Sequence, residues 1–191
     1  MSCRIFALFG LAFLASPVAK AQLLEEVRAG ALIHNICVTN CDNANKEPGF
    51  NVQGELVFAR PGFFKYILNP RPFIVGSVNT EGATSFGGFG LLWNWDFAPK
   101  WSLEPSVGYI VHTGEIDVPF PPGTPENTEF DNENILFGSR DLFRTGLALN
   151  RDIGENWGVQ IQYEHLSHGQ ILDSGRNQGN DSIGGRVYVR F

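Results

Sequence analysis

From Leu24 to the C-terminus the chain alternates apolar and polar positions with a period of two, the mark of half-buried strands rather than helices. Eight alternating segments can be counted. The first runs from Leu24 to Ile36, with Val27, Ala29, Ala31 and Ile33 on one face, and a polar loop from Cys37 to Pro48 follows. The second, Phe50 to Ala59, is closed by Arg60-Pro61-Gly62, and the third, Phe73 to Asn79, by Glu81-Gly82. The fourth spans Thr84 to Phe97, with Phe89, Leu91, Trp93 and Trp95 on one face. A short connection at 98–101 leads to the fifth, Ser102 to His112. The longest loop, Thr113 to Gly138, is rich in Pro, Asn and Glu and precedes the sixth segment, Ser139 to Leu149. The seventh is Trp157 to Ser167 and the eighth Asn180 to Phe191, separated by a Gly/Asn/Asp loop.

Longer loops follow segments one, five and seven, and shorter ones follow four and six. The stretch Phe63-Phe64-Lys65-Tyr66-Ile67 breaks this rhythm and is expected to extend a strand or to lie at an interface. An even strand count with long loops on one side and short turns on the other predicts an all-β fold, an eight-stranded antiparallel transmembrane β-barrel. The Trp and Tyr residues near strand ends suit interfacial girdles. A soluble lipocalin-type barrel would turn the apolar faces inward around a ligand. The polar faces here hold many Gly, Gln, Asn and Ser and few Lys, which fits a small polar interior better than a solvated exterior.

The first 21 residues read as a targeting segment. Arg4 precedes a short apolar run from Ile5 to Leu14, and Ala19-Lys20-Ala21 is a cleavage pattern. The expected organisation is therefore a signal peptide over 1–21 and one barrel domain over 22–191. Removing 1–21 leaves twelve Lys and Arg against twenty Asp and Glu, a net charge of −8. That balance argues against nucleic acid as a partner, since phosphate binding needs a basic stripe. No run of eighteen apolar residues remains, so a membrane is crossed by strands or not at all. Cys37 and Cys41 are expected to form a local disulfide in a secreted chain. A metal site would need more ligands than the nearby His34, so no metal is expected.

The chemistry concentrates at the end of the chain. In the seventh segment Val159, Ile161 and Tyr163 share a face, which His165 and Ser167 continue. In the eighth, Ile183, Val187, Val189 and Phe191 share a face, which Asp181 continues. If the two strands are antiparallel neighbours, a His, a Ser and a carboxylate meet at one end of an apolar surface. Those are the elements of a nucleophilic triad. Glu164 points to the interior by parity and is expected to pair with Arg186 or Arg190. Asp173 is an alternative acid if its loop folds back. His34 and His112 are expected to be solvated at strand ends.

The segment Tyr163-Glu164-His165-Leu166-Ser167, with Asn177-Gln178-Gly179-Asn180-Asp181-Ser182-Ile183-Gly184 after a loop, resembles the lipid A 3-O-deacylase (PagL) family. Glu26-Val27-Arg28-Ala29-Gly30-Ala31-Leu32-Ile33-His34 is similar to that family's first strand. The resemblance implies a Gram-negative outer-membrane esterase that removes the 3-O-linked acyl chain of lipid A in lipopolysaccharide, without cofactor or metal. It assigns His165 as base, Ser167 as nucleophile and Asp181 as acid. Asp181 stands where the family typically has Glu, and His168 where it has the Asn that helps form the oxyanion hole. The oxyanion donor is then expected from His168 or from the backbone N–H of Gly169 or Gln170. The competing reading is a non-enzymatic small outer-membrane barrel whose loops bind a partner.

Overall fold

The computed structural model describes residues 23–39, 41–43 and 46–191; the expected signal peptide lies outside the described residues. The strands are β1 (Leu24–Ile33), β2 (Phe50–Phe58), β3 (Arg71–Asn79), β4 (Phe86–Leu92), β5 (Trp95–Ala98), β6 (Trp101–His112), β7 (Asp141–Asp152), β8 (Trp157–Ser167) and β9 (Asn180–Arg190). Each pairs antiparallel with its neighbours, and β1 pairs with β9. Both β4 and β5 pair with β6, one after the other, so together they make a single stave. The result is a closed ring of eight staves, and closure leaves no edge for foreign strands. The expected fourth segment is thus one stave with a break at Trp93–Asn94. There the Trp93 indole donates to the Ile67 carbonyl, while Asn94 bonds Asp96 and accepts from Ser102.

Outward positions are apolar along every stave, for example Val52, Leu56, Ile74, Val78, Phe89, Val107, Leu147, Ile161 and Val187. Inward positions carry the polar set, so the wall presents grease to its surroundings and the lumen holds the charges. Four buried glutamates on the strands (Glu26, Glu55, Glu104, Glu164) face four buried arginines (Arg28, Arg71, Arg144, Arg186). Arg28 is the hub, paired with Glu26, Glu55 and Glu104. Buried charges survive only when paired and hydrogen-bonded, and each of these eight has at least one such partner, with Arg71 Nε and Arg144 Nη2 left unbonded.

The expected partners of Glu164 are corrected. It pairs with Arg144 at 2.7 Å and accepts from Gln53, whereas Arg186 pairs with Glu55 at 3.2 Å and donates to Gln160, Gln162 and Gln53. Arg190 goes to Glu26 and Asp152. The register explains this: Arg186 lies opposite Gln160, and Glu164 lies four residues farther along, about 14 Å away along the strand. Tilted staves bring together charges from staggered positions across the lumen instead.

At one end of the barrel the long loops fold over the mouth. The loop after β6, expected to be irregular, contains helix α1 (Pro125–Glu133). Thr124 caps it by accepting from the Asn127 N–H, and Pro125 opens its first turn. Ile135, Leu136 and Phe137 follow and are fully buried, and Ile135 and Phe137 join Phe86, Ile110, Leu142 and Leu166 in an apolar plug. This lid corrects the expectation that His34 and His112 are solvated, since both are buried. His34 bonds Glu47, Asn51 and Asn180; His112 bonds the Ser139 carbonyl at 2.7 Å and packs on Phe137. Burial would raise the Glu47 carboxyl, but hydrogen bonds from His34, the Thr84 N–H and the Ile135 N–H outweigh it and hold the group below the usual carboxylate range.

The opposite end has short turns, apart from Gly62–Ile67, which forms a 3-10 helix instead of extending a strand. Phe63, Tyr66, Ile67 and Leu68 are exposed there. Trp95 and Trp157 are exposed on the strands at the same end. Together they form the aromatic girdle of the turn end.

Candidate functional site

Strands β8 and β9 are antiparallel neighbours, and their register sets His165 directly opposite Asp181. Both lie on the outer face of the wall, at the loop end. His165 Nδ1 and Asp181 Oδ1 are 2.8 Å apart. A carboxylate accepting at Nδ1 keeps the proton there and leaves the Nε2 lone pair free to act as a base. His165 keeps 24% of its side-chain surface exposed, while that of Asp181 is 1% exposed.

Asp181 is buried on an otherwise greasy wall because three groups cover it. Tyr163, two residues before His165 on the same face, donates its hydroxyl to Oδ1 at 2.7 Å. The Thr39 N–H donates to Oδ2 at 2.6 Å, and the Thr39 hydroxyl to the same oxygen at 2.8 Å. His165 is the third. Parity along β8 puts Tyr163 on this face from the sequence alone, although there it read as a girdle residue. Nothing local points to Thr39, which arrives from the β1–β2 loop, 142 residues away in sequence.

Ser167 lies two residues beyond His165 on the same face, about 7 Å along the strand. Its hydroxyl has no hydrogen-bond partner among the described residues. No hydrogen bond joins it to His165 here, and base–nucleophile contacts are commonly loose before substrate binds.

The expected oxyanion donors separate into one that is available and two that are engaged. His168 is fully buried; its Nε2 bonds the Arg176 carbonyl at 2.8 Å, and its Nδ1 accepts from the Gln170 N–H at 3.2 Å. His168 therefore does not serve as a ring donor toward Ser167, and the Gln170 N–H is occupied by that same ring. The imidazole instead ties the β8–β9 loop together, which its position after a strand end allows. Gly169, at φ 63°, is exposed, and its N–H makes no hydrogen bond among the described residues. Asp173 is exposed and accepts from the Ser174 N–H at 2.6 Å. It has no bond to His165, so the alternative acid is set aside on geometry.

Gly179 was part of the turn read from sequence, but its role comes from packing. A Cβ there would sit 2.6 Å from His165 Cε1 and 3.2 Å from Nε2, with the Leu166 carbonyl at 3.1 Å. Gly179→Ala must push the imidazole away from its position over Asp181. We expect the turnover of any His165-dependent reaction to fall about 10- to 100-fold with the barrel intact, since small misplacements of reacting groups are costly. Steady-state rates beside heat-modifiability on a gel check this, and an unchanged rate would show that the ring is free to move.

Cys37 and Cys41 are joined by a disulfide with Cα atoms 4.6 Å apart, closing the short loop that carries Thr39. The Ile36 N–H donates to the Asp181 carbonyl at 2.8 Å, so this loop is stitched to the start of β9 by backbone as well as side chain.

On the other flank, Ser167 lies opposite Phe143 of β7, Phe143 opposite Tyr109 of β6, and Tyr109 opposite Phe89 of β4. This row opens into an apolar groove of about 680 Å³ in the outer wall, lined by Phe58, Phe64, Ile74, Phe89, Leu91, Val107, Tyr109 and Phe143. It runs from Phe143, the cross-strand neighbour of Ser167, toward the turn end at Phe64.

A family model described as lipid A 3-O-deacylase (PagL) matches residues 60–190. Among solved structures, the outer membrane enzyme PagL superposes with a TM-score of 0.57 at 12% identity, covering 87% of this chain and 99% of that one. Neisserial surface protein A (NspA) superposes with a TM-score of 0.54 at 11% identity, covering 87% of this chain and 96% of that one. At such identities the superpositions speak for the fold. No curated protein sequence matches the chain. The family match spans more than half of the chain and includes His165, Ser167 and Asp181. With its closed eight-stave barrel and apolar wall, the chain belongs to the lipid A 3-O-deacylase (PagL) family, and its place is the Gram-negative outer membrane.

Proposed function

We propose that this protein is a serine esterase that hydrolyses the 3-O-linked acyl ester of lipid A. The observation that carries the reading is the His165–Asp181 pair at 2.8 Å on the lipid-facing wall, with a free serine hydroxyl on the same face. Long loops of outer-membrane barrels face the exterior. A glycolipid in the outer leaflet therefore meets this site at the junction of its sugar and its chains.

Ser167 Oγ attacks the ester carbonyl carbon while His165 Nε2 takes the hydroxyl proton. Asp181 holds the Nδ1–H and stabilises the imidazolium. The carbonyl oxygen becomes an oxyanion, for which the Gly169 N–H is the available donor. Collapse breaks the bond to the sugar oxygen, which leaves as an alcohol with the proton from Nε2. Water then attacks the acyl-serine and gives its proton to Nε2. Ser167 Oγ departs reprotonated, and the fatty acid is released. The groove beside Phe143 offers an apolar track for an acyl chain, which fits a substrate that never leaves the membrane.

The test is mass spectrometry of lipid A incubated in detergent with the refolded protein. The expected result is loss of one 3-hydroxyacyl mass and appearance of the matching free 3-hydroxy fatty acid. Unchanged lipid A in the presence of a folded barrel would sink the proposal and favour a barrel that acts through its loops.

A further inference from the structure

We propose that the disulfide-closed loop from Cys37 to Cys41 is a clamp on the catalytic acid, with Thr39 as a positioning residue; this rests on the triad reading above. Asp181 is one methylene shorter than a glutamate, and it is buried on a wall that faces lipid. A charge in that setting is costly unless each oxygen has donors. Oδ1 takes the Tyr163 hydroxyl at 2.7 Å and His165 at 2.8 Å, with the Thr39 hydroxyl oxygen farther off at 3.0 Å. Among the described residues Oδ2 is held by Thr39 alone, through its N–H at 2.6 Å and its hydroxyl at 2.8 Å. The Thr39 hydroxyl oxygen also lies 3.1 Å from His165 Nδ1, so this one side chain touches both members of the pair.

Two bonds to one oxygen fix the rotation of a carboxylate. With Oδ2 anchored on Thr39, Oδ1 is turned toward the imidazole, and a short acid is held in reach of the base. A surface loop does not hold such geometry unaided, because its ordering entropy opposes it. Here the loop is closed on one side by the Cys37–Cys41 disulfide and stitched on the other by the Ile36 N–H to the Asp181 carbonyl. The whole clamp lies before residue 60, outside the portion of the chain that matches the family model.

The experiment measures release of 3-hydroxy fatty acid from lipid A micelles by full-length folded protein. Thr39→Val removes the hydroxyl and keeps the shape, and Thr39→Ser restores it. Thr39→Val is expected to lower kcat about 10- to 100-fold with KM within about twofold, and Thr39→Ser to recover to within about threefold of wild type. Adding Thr39→Val to Asp181→Asn is expected to cost less than about threefold more, because the clamp acts only through the carboxylate. Dithiothreitol reduces the disulfide to two thiols and is itself oxidised to its cyclic disulfide. It is expected to lower the wild-type rate about tenfold and to leave the Cys37→Ser/Cys41→Ser double variant, already slow, unchanged. Wild-type kcat in Thr39→Val, failure of Thr39→Ser to recover, or full additivity with Asp181→Asn would each overturn the clamp. Ser167→Ala runs alongside: if hydrolysis persists there at the wild-type rate, the triad reading falls instead. Heat-modifiability of every variant on a gel separates these results from misfolding.

Discussion

Ser167→Ala is expected to abolish release of 3-hydroxy fatty acid, lowering kcat by on the order of 10⁴- to 10⁶-fold. The magnitude follows from what the hydroxyl does in the proposed reaction. It is the atom that bonds to the acyl carbon, and the other hydroxyl on this face of β8, that of Tyr163, is committed to Asp181. Whatever rate remains comes from the oxyanion donor and from binding in the apolar groove. The fold should not register the change. Ser167 is the last residue of β8 and is only half-buried, and its hydroxyl bonds to no described residue. Stability is therefore expected to move by less than about 0.5 kcal/mol. Product release and urea midpoint, measured on the same preparation, check both halves. A variant that keeps its activity would place the nucleophile elsewhere, and one that no longer folds would leave the hydroxyl with a structural role that the geometry does not contain.

Arg28→Met is expected to have the largest effect on the barrel itself. Arg28 is buried and pairs with Glu26, Glu55 and Glu104, bringing together charges from β1, β2 and β6. Methionine fills most of the volume but removes the charge, leaving four strand glutamates facing three arginines in the lumen. The glutamates retain partners, since Glu104 and Glu26 reach Arg71 and Glu55 reaches Arg186, but one charge is no longer compensated. Breaking a buried pair on one side typically costs about 3–5 kcal/mol. A fall of that size in the free energy of urea unfolding in detergent is expected, with the slope unchanged. At temperatures where the variant is folded, activity should stay near wild type, because the site lies on the outer face of the wall. An unchanged midpoint would mean that the lumen network adds nothing beyond filling space.

The contrast between these two residues separates what is local from what is not. Strand parity is a local property: successive side chains alternate faces wherever the backbone is extended. It was enough to put Val159, Ile161, His165 and Ser167 on one face and Glu164 on the other, and to place Asp181 on the outer face of β9. Partners across the lumen obey no such rule. Strand tilt and stagger decide that Glu164 meets Arg144 instead of Arg186, and neither quantity can be read from alternation. Loops are freer still. The histidines at strand ends read as solvated because the partner of His34, Glu47, lies in a loop, and Phe137, which packs on His112, comes from a connection without periodicity. Its helix was signalled only by Thr124-Pro125-Glu126.

By itself, then, the sequence determined an eight-stave barrel with a greasy exterior, because a period of two and an alternation of loop lengths suffice to specify it. It also determined that a histidine, a serine and an aspartate share one end of the last two staves. The tertiary structure alone decided how that acid is held. Thr39 reaches Asp181 from 142 positions away, Gly179 leaves room for the imidazole, and His168 turns inward to tie its own loop. The physical reason is that hydrogen bonds to a buried carboxylate are chosen by what surrounds it after closure of the barrel, and proximity of that kind leaves no trace in the spacing of residues along a chain.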